Sequence, residues 1–207
     1  MFAVGHMALA YLISKPTASR LKLGLSIPTA LVLSIIPDID ILAGEGFHRG
    51  PTHSLIAATL VFIPLFYLYR KKALPYLLAL ISHSLIGDLI VGGGIQLFWP
   101  IYLNEVSISP PLPKIAITSP TNIALELILF TAASIIMLKA GDFRTFLQPH
   151  KSNLLLTIPV ATVLLPTFLS YPLTVPTALI PPHLFYLILF IISVLIIVFR
   201  KISAMFS

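Results

Sequence analysis

The sequence predicts an all-α fold, a polytopic transmembrane bundle of about six or seven helices, on three observations. Mean hydropathy is +1.01, and 57% of the 207 residues are hydrophobic while 10% are charged, far from the make-up of an ordinary soluble domain. The apolar residues gather into seven runs, each bounded by charges or by Pro/Gly-rich punctuation. A helical crossing of the bilayer core takes about 20 mostly apolar residues, and most of the runs approach that length.

In chain order the runs fall at 2–14, 23–42, 54–69, 73–91, 120–139, 153–171 and 183–199. The first is short for a full crossing, so six crossings and one inserted helix are the alternative to seven. It lacks the basic start of a cleaved signal peptide and carries His6 in its middle. The chain reads as one integral membrane domain, 1–207. Residues 1–100 hold the chemistry-bearing side chains, 101–119 form an outer loop, and 120–207 are structural helices.

Basic residues orient the bundle. Taking alternate loops, Lys15, Arg20, Lys22, Arg70, Lys71, Lys72, Lys139, Arg144, Lys151, Arg200 and Lys201 share one side, eleven in all, against Arg49 and Lys114 on the other. That asymmetry marks the eleven as cytoplasmic, with the N-terminus outside and the C-terminus inside. The formal charge of +6 is then mostly topology, and no nucleic-acid partner is expected. With no cysteine, thiolate metal ligands are excluded.

Imidazoles and carboxylates are spread unevenly. Of six histidines, His6, His48, His53 and His83 lie in the first half, and so do Asp38, Asp40 and Asp88. On the topology drawn from Lys and Arg alone, all seven fall at the outer ends of the first four segments. A carboxylate at mid-bilayer costs about 2.5–3.5 kcal/mol on the insertion scale and needs a named partner. Arg49 cannot serve three carboxylates, but a divalent ion can. Neutral imidazole with carboxylate suits zinc, and also manganese or iron; seven such groups exceed one tetrahedral site and would accommodate two ions.

Each piece also has a structural reading. In "PDID" (37–40), Pro37 can end a helix and leave both aspartates in a turn. His6 alone reads as an interhelical hydrogen-bonding residue, and in "HRGPTHS" (48–54) Thr52 or Ser54 can cap the third helix. "SHSLIGDLIVGGG" (82–94) is harder to dismiss, since His83 and Asp88 interrupt an apolar run. Residues five apart on an ideal α-helix diverge by about 140°. A π-bulge, a distortion at Gly87, separate ions, or one of the pair orienting a ligand rather than binding the ion would each reconcile them.

The ordered set "GH" (5–6), "PDID" (37–40), "HRGPTHS" (48–54) and "SHSLIGDLIVGGGIQLFWP" (82–100) resembles the family of membrane-bound metal-dependent hydrolases, some labelled LexA-binding, inner-membrane-associated hydrolases. The resemblance covers about the first hundred residues and extends distantly to the zinc-dependent phospholipase C and P1-type nuclease group. It implies His6, Asp38, Asp40, His48, His53, His83 and Asp88 as metal ligands. The five-residue step from His83 to Asp88 departs from the four expected for the family. A glutamate ligand has only weak counterparts, Glu45 and Glu126.

The expected function is a membrane-embedded metal-dependent hydrolase, a phosphoesterase acting on a lipid or lipid-linked phosphate at the outer membrane face. A metal ion acidifies the attacking water, Asp38 or Asp40 bridges ions or takes its proton, and Arg49 grips phosphate or else snorkels to a headgroup. Residues 100–119, with four prolines, serve as a lid or a plain connector. Glu126, Asp142, His150 and His183 read as interfacial or interhelical polar groups. The alternative is a divalent metal-ion transporter or channel, since intramembrane His and Asp also mark ion paths. Against it, no mirror set of ligands follows residue 88. A scaffold holding a structural metal is a third, weaker option. The expected location is the cell membrane, with many passes and the bilayer as partner.

Overall fold

The computed structural model describes residues 1–44, 48–107, 115–171 and 173–206. Among them regular structure is helical, apart from isolated β-bridges at Val91 with Ile115 and Ile95 with Val106. Glu45, Lys114 and the middle of the expected outer loop lie outside the described residues.

Helix α1 (Ala3–Arg20) is the central post, packed chiefly against α2 (Ile27–Leu33), α4 (Leu74–Ser82) and α5 (Pro120–Ala140). Its buried side chains include Gly5, Ala8, Ala10 and Ala18, small residues that let neighbouring backbones approach where lipid offers no hydrophobic drive. One face, Val4, Met7, Ala8 and Tyr11, joins the main core with Leu31, Met137, Phe146, Tyr186 and Phe190. Ala10 on another face packs with Ala30, Leu33, Ala79 and Leu80.

The expected crossing at 23–42 is not one helix. The α2 helix ends after seven residues, and the chain turns into a 3-10 segment, Ile36–Ala43. Pro37 near its start cannot donate to an α-helical ladder, and the tighter segment carries Asp38 and Asp40 inward, both buried. Ser54 then caps α3 (Leu55–Tyr69), its hydroxyl accepting from Ala57 N at 3.0 Å. No residue of α3 is buried, so it is the outermost helix of this half.

Helix α4 runs directly into a π-helical turn, His83–Asp88. Helix α5 starts with Pro120 after the capping Ser119 and stops at Gly141, whose φ of 70° is left-handed, the usual placement of proline and glycine at helix ends. A short α6 (Arg144–Leu147) leads to α7 (Lys151–Phe168) and α8 (Thr177–Phe206). Helices α5, α7 and α8 are long and apolar enough to cross a membrane, with mean hydropathies of 2.0, 1.3 and 2.6. Exposed Ile128, Leu138, Ile188 and Phe199 on α5 and α8 are side chains suited to lipid tails.

Two buried carboxylates tie α1 to the second half. Asp142 accepts from the Tyr11 hydroxyl at 2.8 Å and pairs with Lys15 Nζ at 2.7 Å. At the opposite end, Glu126 accepts from Phe2 N at 2.8 Å, Gly5 N at 3.1 Å and Asn122 Nδ2 at 2.8 Å. It satisfies N–H groups that the first turn of any helix leaves without an intrahelical partner. Gly5 is required there, because a Cβ would lie within 2.8–2.9 Å of the Glu126 side chain.

Candidate metal centre

Four side chains from three elements converge below the start of α1. Asp38 comes from the 3-10 segment, His53 from the turn before α3, and His83 and Asp88 from the two ends of the π-turn. His53 Nε2 lies 3.2 Å from His83 Nε2, 3.2 Å from Asp88 Oδ2 and 3.5 Å from Asp38 Oδ1. His83 Nε2 lies 3.2 Å from Asp88 Oδ2 and 3.3 Å from Asp38 Oδ1. Ligands bound about 2.0–2.1 Å from a tetrahedral zinc stand about 3.3–3.4 Å from one another. The separations among His53, His83 and Asp88 are close to those of ligands around a zinc-sized ion, and Asp38 Oδ1 stands at a similar distance from both histidines.

The tautomers point the same way. His83 Nδ1 donates to the Ser34 carbonyl at 2.6 Å, leaving a lone pair on Nε2. His53 Nδ1 faces Asp40 Oδ2 at 3.2 Å, so the proton there turns its other lone pair to the same point. Facing lone pairs 3.2 Å apart repel unless a cation or a proton lies between them. A carboxylate or carbonyl behind each imidazole is the arrangement that orients metal-binding histidines. Asp40 is itself steadied by Thr52, whose hydroxyl donates to Oδ2. Thr52 thus serves the cluster and Ser54 the helix cap.

The π-turn answers the spacing problem. A π-turn is closed by i→i+5 hydrogen bonds, so residues five apart stack one above the other. The extra residue between His83 and Asp88 is absorbed by the wider turn, and the two side chains meet at 3.2 Å.

His6 and His48 flank the four. The His6 ring is buried and stacked on His83, with centroids 3.7 Å apart and planes 13° apart. Neither of its nitrogens has a hydrogen-bond partner, the carboxylate oxygen Asp88 Oδ1 lying 3.6 Å from Nε2. Orphaned buried polar atoms are costly and call for an explanation, and the donor set here, imidazole with carboxylate, fits a divalent ion. His48 Nδ1 is 3.1 Å from Asp40 Oδ1 and 3.9 Å from Asp38 Oδ1, on the more open side. The groupings able to hold an ion are His6–Asp38–His83, Asp38–His48–His53 and His53–His83–Asp88, all within this one cluster among the described residues.

Gly87 makes room for His6, since a Cβ there would collide with the imidazole at Cε1 and Nδ1. A Gly87→Ala protein is expected to bind zinc at least about tenfold more weakly, in the range seen when ligand-orienting contacts are lost. Equilibrium dialysis against buffered zinc measures this.

Arg49 neither reaches out to a headgroup nor stands free. Its Nη2 is 3.3 Å from Asp88 Oδ1 and donates to the Val91 carbonyl at 3.1 Å. Arg49 has a φ of 66° and packs its guanidinium on Gly92, at φ 97°, where a Cβ would collide with it. Its position steadies Asp88 and leaves Oδ2 facing the histidines. Glu126, occupied by three donors at the start of α1, is not in the cluster. His183 is also elsewhere, its Nδ1 donating to the Leu179 carbonyl at 2.7 Å.

Burial opposes charge on His53, but hydrogen bonds to Asp38, Asp40 and Asp88 outweigh that. They hold its pKa well above the usual histidine value, about 6.5. A proton is thus the natural competitor for any cation at this point.

Fold and site together define a helical membrane protein with a buried His/Asp cluster at one end of its central helix. The chain belongs to the YdjM inner membrane protein family, whose model matches residues 1–173. Neither a curated protein nor a solved structure matches it. The family description and the three long apolar helices make it a protein of the cell membrane; the description speaks of a membrane and names no reaction.

Proposed function

We propose that the protein is a membrane-embedded, metal-dependent hydrolase that cleaves a phosphoester, with lipid or lipid-linked phosphates as the substrate class. The observation that carries the reading is the set of imidazole and carboxylate atoms 3.2–3.5 Å apart among His53, His83, Asp38 and Asp88. Of these, His53, His83 and Asp88 would hold one divalent ion, zinc by donor type, with manganese or iron as the other candidates. Asp38 belongs to two of the three groupings, and with His48 and His53 it would hold a second ion. When bound, the divalent ions supply positive charge that polarises a phosphoryl oxygen and makes water more acidic.

The protein's own groups divide the remaining tasks. Asp38 and His48 line a cavity beside the cluster, so the phosphoryl group is placed there. Asp38 is the nearest carboxylate to take the proton of an attacking water. The new P–O bond forms to that water, the ester P–O bond breaks, and the leaving alcohol oxygen takes up a proton. Both oxygens of Asp40 face donors, His48 on one side and Thr52 with His53 on the other, so Asp40 positions the imidazoles. Arg49 does the same for Asp88. An orientation with the Lys/Arg-rich side in the cytoplasm, as the basic residues predict, would open the site at the outer surface.

Full-length protein in lipid nanodiscs, stripped with chelator and reloaded with zinc, should release phosphate or headgroup from a lipid phosphate. Asp38→Asn should lower that rate by at least about a thousandfold, as expected for loss of a group acting on both metal and proton. Divalent-ion flux into proteoliposomes without any hydrolysis would support transport instead. Metal uptake should also depend on pH in a definite direction. The ion must displace the proton from His53, whose pKa is raised, so affinity is expected to fall as pH falls. Each displaced proton weakens binding by about tenfold per unit of pH below that raised value; zinc titrations between pH 6 and 9 with a competing chelator give the slope.

A further inference from the structure

Beside the cluster lies a cavity of about 250 Å³. Its polar end is formed by Asp38 and His48, and its walls by Phe2, Ile41, Val163 and Leu173 among others. Thr167 also lines it, but its hydroxyl is already bonded to the Val163 carbonyl at 2.7 Å and the Leu164 carbonyl at 3.0 Å. The lining side chains are therefore apolar apart from the carboxylate, the imidazole and the satisfied threonine, while Met1, which also lines the cavity, carries an ammonium 3.5 Å from Asp88 Oδ1. A pocket that encloses a whole drug-sized ligand measures about 300–1,000 Å³, so this one suits part of a molecule. Leu173 lines the cavity and is itself 40% exposed, and on the 3-10 segment that contributes Ile41, Ile39 and Leu42 are 43% and 57% exposed. Apolar side chains thus continue from the chamber to the protein surface, a route open to a hydrocarbon chain and unfavourable to a free anion.

We propose that this chamber binds a single hydrocarbon chain of an amphiphile whose phosphoryl head rests at Asp38 and His48. The identity of the head rests on the hydrolase reading; the chain site rests on the cavity alone. The substrate class narrows accordingly, to phosphoesters carrying one chain that can leave the bilayer and enter beside α7. Selectivity should follow chain length until the chamber is filled.

The test uses a dodecyl phosphonate bearing a photoreactive group in its chain, which labels the protein whether or not the protein is a hydrolase. With zinc-loaded, full-length protein in nanodiscs, labels should map to 36–44 and 158–168. Unlabelled dodecyl phosphonate should compete at least tenfold better than butyl phosphonate, with concentrations expressed per membrane lipid so that partitioning cancels. Val163→Trp, which fills the chamber from α7, should cut labelling tenfold or more with metal content unchanged. Equal competition by butyl phosphonate or by inorganic phosphate would overturn the proposal, as would labels spread over the lipid-facing sides of α5 and α8. If Val163→Trp loses metal, the wild-type competition decides alone. Hydrolysis without chain preference removes the chamber and leaves the hydrolase; chain labelling without hydrolysis does the reverse.

Discussion

A His83→Ala protein is expected to purify with less than about a tenth of the wild-type metal and no measurable hydrolysis, the loss of one ligand exceeding the 10–100-fold seen when a group that only orients a ligand is removed. Three effects combine at this one ring. Its Nε2 lies within 3.2–3.3 Å of His53, Asp38 and Asp88, so its removal takes one donor from the grouping with His53 and Asp88 and one from the grouping with His6 and Asp38. Its Nδ1 anchors to the Ser34 carbonyl, which would be left without that donor in the core. His6, stacked on it, loses the surface that holds its plane. Thermal unfolding separates metal loss from misfolding. An ion present at a hundred times its dissociation constant stabilises the folded state by about 2.7 kcal/mol, so wild-type protein should melt higher with zinc than after chelation. His83→Ala should melt at one temperature under both conditions. Retained metal with a full zinc-dependent shift would remove His83 from the ligand set.

Glu126→Ala should be the most destabilising single change outside the cluster. The carboxylate is fully buried and accepts from Phe2 N, Gly5 N and Asn122 Nδ2. Alanine leaves the two backbone N–H groups without a partner and opens a void beside Gly5. At about 1–3 kcal/mol for each buried group left unsatisfied, the two together cost about 2–6 kcal/mol. Asn122 keeps its bond to the Ile117 carbonyl at 2.6 Å, which limits the loss. Because His6 follows one residue after Gly5, loosening this end of α1 should also weaken metal binding. Glu126→Gln, which retains an acceptor, should recover part of the stability. Denaturant titration of the three proteins in one detergent orders them, and equal midpoints would show that the carboxylate does not hold α1.

Much of this was legible before any coordinates. The helical segments follow from runs of apolar residues, because a chain in lipid must satisfy its backbone internally. The grouping of His6, Asp38, Asp40, His48, His53, His83 and Asp88 follows from the cost of placing such residues in an apolar setting without a common partner. Other features were not legible. Thr52 sits between two histidines and reads as a cap, yet it bonds Asp40, a choice that depends on where the 3-10 segment lies. Arg49 was open to a phosphate or a headgroup, and only the approach of Gly92 and Asp88 decides that it steadies a carboxylate. The run at 23–42 reads as one crossing by hydropathy, while Pro37 converts its second part into a 3-10 segment that delivers two aspartates.

Composition and order by themselves determined that this is a membrane protein of helices with four of its six histidines and three of its four aspartates in the first half, since burial cost and backbone hydrogen bonding depend on residue type alone. Tertiary structure alone decided which atoms meet. His83 and Asp88 converge because α4 widens into a π-turn. Gly87 and Gly5 admit His6 and Glu126 because neighbouring helices press against bare backbone there. Such contacts arise from packing between segments far apart in the chain, which no local pattern encodes.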